Sequence, residues 1–256
     1  MFGTLQPLKG KNAIVTGAGR GIGRAIAVGL AEAGANLILV SRTNIELEET
    51  QSLVQEKEVK CWVMPTDLTK TEEITTLFNR IDEEVGPVDV LINNAGMNKR
   101  SEAFNVTTEE WDLIMDTNVK SCFLMAQKAG ERMKKRGGGK IINISSVAGH
   151  VALRTGVVYG MTKAALIQMT KVLALEWGKH NINVNAIGPW YFPTPLTEKL
   201  LNDADYVNDI LEVTPLKRIG KLEELVSPTV FLCTEGADYI TGQTLFVDGG
   251  MTINGF

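Results

Sequence analysis

Asn12-Ala13-Ile14-Val15-Thr16-Gly17-Ala18-Gly19-Arg20-Gly21-Ile22-Gly23 decides how the chain is read. A short apolar run suited to a strand gives way to closely spaced glycines, and the next residues open a helical period. Glycines at such a turn let the backbone approach a pyrophosphate, and the helix N-terminus offers amide donors and positive potential. The pattern is T-G-x-x-x-G-x-G; the stricter G-x-G-x-x-G fails because Ile22 takes the place of its last glycine, and no Gly-Lys-Ser/Thr follows as in a P-loop. A strand before the loop and a helix after it favour a nucleotide site over a plain turn. Gly17, Arg20, Gly21, Ile22 and Gly23 are its candidate residues.

Outward from this unit, Val- and Ile-rich runs alternate with longer helix-period segments. Strands are expected at 12–16, 36–41, 61–66, 88–93, 140–145, 181–187 and 244–248, and helices at 21–33, 45–58, 72–84, 108–135, 157–178 and 222–233. Runs apolar on both faces, joined by helical crossovers, predict an α/β fold: one Rossmann-type, doubly wound parallel sheet of about seven strands with helices on both faces. Residues 1–256 read as a single domain. The long connection at about 188–217, with Pro189, Pro193, Pro195 and Pro215, reads as a flap over a site.

The chain of 256 residues is 44% hydrophobic and 22% charged, an ordinary globular composition. A net charge of -4 argues against a nucleic-acid binder. The basic cluster Arg132, Lys134, Lys135 and Arg136 fits a solvated helix end whose cations suit the C-terminal dipole. Cys61, Cys122 and Cys233 are odd in number and far apart, which indicates neither a disulfide framework nor a metal site and fits the cytoplasm. The start Met1-Phe2-Gly3-Thr4-Leu5-Gln6-Pro7-Leu8 has no export signal, and no stretch suits a membrane span. No internal repeat is visible.

Ligands of a doubly wound sheet bind beyond the carboxyl ends of its strands. That rule picks out the glycine loop, Ser41-Arg42, Asp67, Asn94-Ala95-Gly96, Ser145-Ser146 and Gly188-Pro189. A carboxylate after the second strand would accept the ribose hydroxyls of NAD; Ser41-Arg42 stands there instead. With Arg20 it offers two guanidinium groups for a 2′-phosphate, so NADP(H) is expected, with NAD(H) possible. Two exposed arginines with no ligand remain the alternative. Tyr159 and Lys163 lie four apart on a predicted helix and share a face, where an ammonium favours the phenolate form.

In order along the chain, Thr16 to Gly23, Asp67, Asn93-Asn94-Ala95-Gly96, Asn118, Ser146 and Tyr159-x-x-x-Lys163 resemble the short-chain dehydrogenase/reductase family over nearly the whole length. The resemblance implies an NAD(P)-dependent interconversion of carbonyl and alcohol in a homotetramer. It implies Tyr159 as acid/base, Lys163 as the group that favours its phenolate and holds the nicotinamide ribose, and Ser146 as the hydroxyl polarising the carbonyl, Ser145 pointing away. Asn118 would hold a water linking Lys163 to solvent. Asp67 and Leu68 would meet the adenine, Asn94, Ala95 and Gly96 the adenosine side, and Pro189, Phe192 and Thr194 the nicotinamide end and diphosphate. His150 and His180 fall at no catalytic position. Asp248-Gly249-Gly250 resembles the family's closing motif at a subunit interface.

Trp190 is a departure, since the family usually has glycine after this proline. A tryptophan would be strained if the backbone there needs positive φ. For substrate, Asn98-Lys99-Arg100 resembles gluconate 5-dehydrogenases and related sugar-acid enzymes, and Arg100 with Arg154 could receive a carboxylate. The alternative is a 3-oxoacyl-acyl-carrier-protein reductase, with Lys135, Arg136 and Lys179 as a patch for the acidic carrier. A nucleotide-binding scaffold without turnover is the third reading, against which the complete catalytic set speaks.

Overall fold

The computed structural model describes residues 6–154 and 156–253. The stretch Met1 to Leu5, part of the start read as lacking an export signal, lies outside them. Seven strands form one sheet in the order β3-β2-β1-β4-β5-β6-β7: β1 Asn12–Thr16, β2 Asn36–Ser41, β3 Cys61–Pro65, β4 Val90–Asn93, β5 Gly139–Ile144, β6 Ile182–Pro189 and β7 Thr244–Val247. Every pairing is parallel. The helices are α1 Gly21–Glu32, α2 Asn44–Gln55, α3 Thr71–Glu84, α4 Thr108–Met115, α5 Ser121–Arg136, α6 Val157–Trp177, α7 Glu198–Leu201, α8 Ala204–Glu212 and α9 Glu223–Cys233.

The period-two alternation of strand side chains divides the core into two layers. Ala13, Val15, Leu37, Leu39, Val90 and Ile92 join Ile26, Leu30 and Leu225 on the side of α1 and α9. Ile14, Ile38, Val40 and Leu91 point the other way, onto Phe78, Met125 and Met133 of α3 and α5. Truncating Ile14, fully buried at the centre, would cost about 2–5 kcal/mol. Strand order reverses between β1 and β4, so a crevice opens there at the carboxyl edge.

Three elements differ from expectation. The helix expected over 108–135 is interrupted by a π-turn at Asp116–Lys120, whose extra residue turns Asn118 into the interior. β6 runs on through Pro189, paired with Val247, because a proline at a strand's end loses only one donor and the Trp190 amide still reaches the Val247 carbonyl at 3.3 Å. The proline-rich flap holds α7 and α8. Asp203 caps α8, its carboxylate accepting from the amides of Asp205 at 3.0 Å and Tyr206 at 3.2 Å. No described helix is long and apolar enough to cross a membrane.

Candidate active site

Thr16 stitches the crevice together. Its hydroxyl donates to the Ile92 carbonyl at 3.2 Å and accepts from the amides of Asn94 at 2.9 Å and Ala95 at 3.0 Å, which ties the ends of β1 and β4. The Asn94 side chain donates to the carbonyls of Thr16 at 3.0 Å and Gly17 at 3.2 Å. Gly17 has φ of +63°, and a Cβ there would stand 2.9 Å from Asn94 Nδ2 and 3.0 Å from Ala95 Cα. A Cβ on Gly23 would collide with the Gly17 carbonyl, so Gly23 packs the loop on its helix and does not line the cleft.

The N-terminus of α1 has no side-chain cap and no acidic residue in its first turn, so its amides and positive dipole end face the cleft. The Ser41 hydroxyl at the end of β2 is buried and has no hydrogen-bond partner among the described residues. Both features fit a dinucleotide: a bare amide cradle for diphosphate, and an orphan hydroxyl with Arg42 for a 2′-phosphate. Arg20 and Arg42 differ. Arg20 pairs with Glu46 at 3.2 Å, whereas Arg42 is exposed and adds its field to Asp67. Burial raises the Asp67 carboxyl, but hydrogen bonds from Thr69 and the cations Arg42 and Lys70 hold it below its ordinary value. Leu68, Ala95, Gly96, Pro189 and Thr194 line the same cleft.

At the opposite end, Tyr159 and Lys163 lie on α6. The Lys163 ammonium, 5% exposed, donates to the Ile144 carbonyl at 2.7 Å and sits 5.4 Å from the Tyr159 ring centroid. A Cβ on Gly96 would meet Asn118 Oδ1 at 3.4 Å and Lys163 Nζ at 3.7 Å, ordinary contact distances that put this backbone directly beside the ammonium. Tyr159 lines the cleft, and among the described residues its hydroxyl makes no hydrogen bond. Ser146 accepts from the Ala148 amide at 3.1 Å and donates to the Pro189 carbonyl at 3.4 Å. So long a bond holds the hydroxyl weakly, leaving it able to turn to a substrate. Ser145 instead donates to the Lys163 carbonyl at 2.8 Å and fixes α6 against β5.

Asn118 is fully buried and does not line the cleft. Its amide donates to the Met97 carbonyl at 2.8 Å and Thr162 at 3.1 Å, and its oxygen accepts from the Met97 amide at 2.8 Å. One lone pair of that oxygen remains. Arg154 lies outside the cleft, paired with Asp209 of α8 at 2.8 Å and stacked on Tyr206 at 5.8 Å. Arg100 does line the cleft and acts on the Tyr191 phenol. The Phe192 ring is buried against Gly220, its carbonyl accepts from Thr197 at 2.5 Å, and the residue lines the cleft. His150 packs 5.1 Å from Phe246, and neither it nor His180 reaches the cleft.

Sequence reasoning missed Glu46, Thr117 and Leu153, all of which line the cleft. It also missed a buried asparagine relay under the site: Asn93 donates to Asn143 at 3.0 Å, and Asn143 donates to Thr170 of α6 at 2.9 Å. The polar residues recurring at strand ends in Ile-Asn-Asn and Ile-Asn-Ile-Ser were its signal. Burial raises all three thiols, Cys61 and Cys233 to about 12, which leaves them unreactive.

A family model described as enoyl-(acyl carrier protein) reductase matches residues 17–252. The chain is 38% identical over 251 residues to a gluconate 5-dehydrogenase of Gluconobacter oxydans (strain 621H), covering 98% of each. It is 42% identical over 257 residues to a tropinone reductase homolog of Arabidopsis thaliana, covering 97% of this chain and 95% of the relative. The crystal structure of a gluconate 5-dehydrogenase from Burkholderia cenocepacia J2315 in complex with NADP and tartrate is 33% identical, with a TM-score of 0.93 over 97% of this chain and 98% of that one.

Proposed function

We propose, from the premise that this chain belongs to the short-chain dehydrogenase/reductase family, that it interconverts the keto and hydroxy forms of a sugar acid with Tyr159 as acid/base. As a member of that family it is an oxidoreductase that prefers NADP(H). One observation carries the proposed chemistry: a phenol with no described protein partner lines the cleft beside a buried ammonium, in the same cleft as the uncapped N-terminus of α1. NADPH supplies hydride when bound. In the reduction, the Tyr159 hydroxyl donates its proton to the carbonyl oxygen while the Ser146 hydroxyl, released from Pro189, donates a hydrogen bond to the same atom. Lys163 stabilises the resulting phenolate and has donors left for the nicotinamide ribose. The remaining Asn118 lone pair is the place for a water that returns the proton.

Cofactor residues are proposed by position. The α1 amides at Gly21 and Ile22, with Gly17, take the diphosphate, Ser41 and Arg42 the 2′-phosphate, Asp67 and Leu68 the adenine, and Asn94 to Gly96 the adenosine ribose. Arg20 joins them only by leaving Glu46. Pro189, Thr194 and the Phe192 amide take the nicotinamide end. Arg100 receives the substrate carboxylate, while Arg154, committed to Asp209, holds the flap. The names of the gluconate 5-dehydrogenase relatives support this substrate class.

We read residues 1–256 as one domain acting as a homotetramer in the cytoplasm. Free cysteines suit that compartment, and Leu175, 85% exposed on α6 one turn after exposed Val172, suits burial against another copy. Initial rates with 5-ketogluconate and with acetoacetyl thioester, each with NADPH and NADH, test the function. Preferred reduction of the keto acid with NADPH is expected; preference for the thioester transfers the assignment to acyl-carrier substrates.

A further inference from the structure

Trp190 carries a large side chain where the family resemblance leads one to expect none, and its surroundings hold it still. Its backbone does not have positive φ, so the tryptophan sits there without strain. The indole N–H donates to Thr214 Oγ1 at 3.0 Å, and that hydroxyl donates to the Ile210 carbonyl in α8 at 2.6 Å. Thr214 is itself 1% exposed, and a Cβ on Gly249 would press within 2.8 Å of its methyl group. The other edge of the indole meets the Tyr191 ring at 4.5 Å and 73°. Tyr191 is locked in turn, its hydroxyl 2.6 Å from that of Tyr206 on α8.

The indole therefore has a hydrogen bond to buried Thr214 and an aromatic contact with buried Tyr191, which is tied to half-buried Tyr206, and it forms part of the cleft wall with Tyr191 and Leu153. A side chain fixed in this way excludes volume; it does not swing to admit a larger ligand. We propose that Trp190 is a specificity-determining residue, a fixed wall that restricts the cleft to carbonyl compounds of small bulk and turns away fused ring systems. Burial and the Tyr206 bond raise the Tyr191 phenol, with Arg100 drawing it back, so the phenol beside this wall stays protonated and keeps a polar lining. The inference rests on the reading of Tyr159 as the acid that protonates a carbonyl, because that reading puts the substrate at this end.

The test compares cyclohexanone with 2-decalone, two ketones that differ in bulk and not in polar groups. For wild type, W190G, W190A and W190F, kcat/KM with NADPH is measured for each ketone, and the Kd of 2-decalone for the enzyme–NADPH complex is read from nucleotide fluorescence. NADPH binding and a cooperative thermal transition show which variants are folded, and W190A replaces W190G if the latter does not fold. The ratio of 2-decalone to cyclohexanone kcat/KM is expected to rise about 10-fold or more in W190G and W190A, with tighter 2-decalone binding. W190F, which keeps an aromatic ring in the wall, is expected to stay within about threefold of wild type. An unchanged ratio and Kd in a folded W190G or W190A overturns the proposal, as does a W190F as permissive as W190G. If wild type oxidises NADPH with no ketone or keto acid, the function reading fails, and the 2-decalone Kd alone then judges the wall.

Discussion

A phenol and an ammonium four residues apart on one helix are placed by spacing alone. Tyr159 and Lys163 share a face because a helix brings residues four apart together, and the structure puts them in that relation on α6. Residues whose role depends on a distant partner are not. Arg154 has the charge of a carboxylate receptor, but Asp209, far along the chain, claims it; Arg20 is claimed by Glu46 in the same way. The condition for strain at Trp190, a positive φ, is not met, and its amide continues the pairing of β6 with β7. At this scale, Tyr159→Phe removes the proposed acid while keeping the ring: kcat is expected to fall by about 10²–10⁴-fold with NADPH affinity nearly unchanged. Stopped-flow turnover with a fluorescence titration checks it, and retained kcat removes Tyr159 from the chemistry.

Strands were the most legible elements, since a buried parallel strand is written as a compact apolar run, and β1 and β2 begin and end where the sequence puts them. Helices gave way where a polar demand from elsewhere intervened. The apolar period across 108–135 is continuous, and only the need to bond Met97 and Thr162 explains a π-turn at Asn118. Charge at an element's end yields a pH prediction. Glu224, in the first turn of α9, accepts from Arg218 at 2.7 Å and from the Lys221 amide at 2.8 Å, and these bonds, Arg218 first, lower its carboxyl from 4.5 to about 2. A folded-state pKa below the unfolded one means that the stabilisation is present above about pH 4.5 and lost as pH falls toward about 2. Glu224→Gln is expected to unfold at lower temperature than wild type near neutrality. The gap should close on acidification and, because the pair is exposed, shrink in high salt. A gap independent of pH would assign the effect to something other than this ion pair.

For the whole molecule, cofactor binding and folding are linked, because the cleft exists only when β1, β4 and the flap are assembled. NADP+ at about 100 times its Kd should stabilise the fold by about 2.7 kcal/mol, or roughly 5–10 °C in thermal midpoint for a chain of this size. NAD+ at the same concentration should shift it less, since it lacks the phosphate that Ser41 and Arg42 are proposed to bind. Differential scanning fluorimetry reads both, and equal shifts would count against that phosphate site. The proposed tetramer is checked by light scattering on the same samples.

By itself the sequence determined the sheet, the glycine turn and the pairing of Tyr159 with Lys163 on α6, because each is encoded by period or spacing within a few neighbouring residues. Tertiary structure alone decided which charges are paired, where Asn118 points, that the flap folds into helices, and what Trp190 packs against. Those outcomes depend on partners tens of residues away in the chain, brought within bonding distance only when the sheet closes and the flap packs across its carboxyl edge.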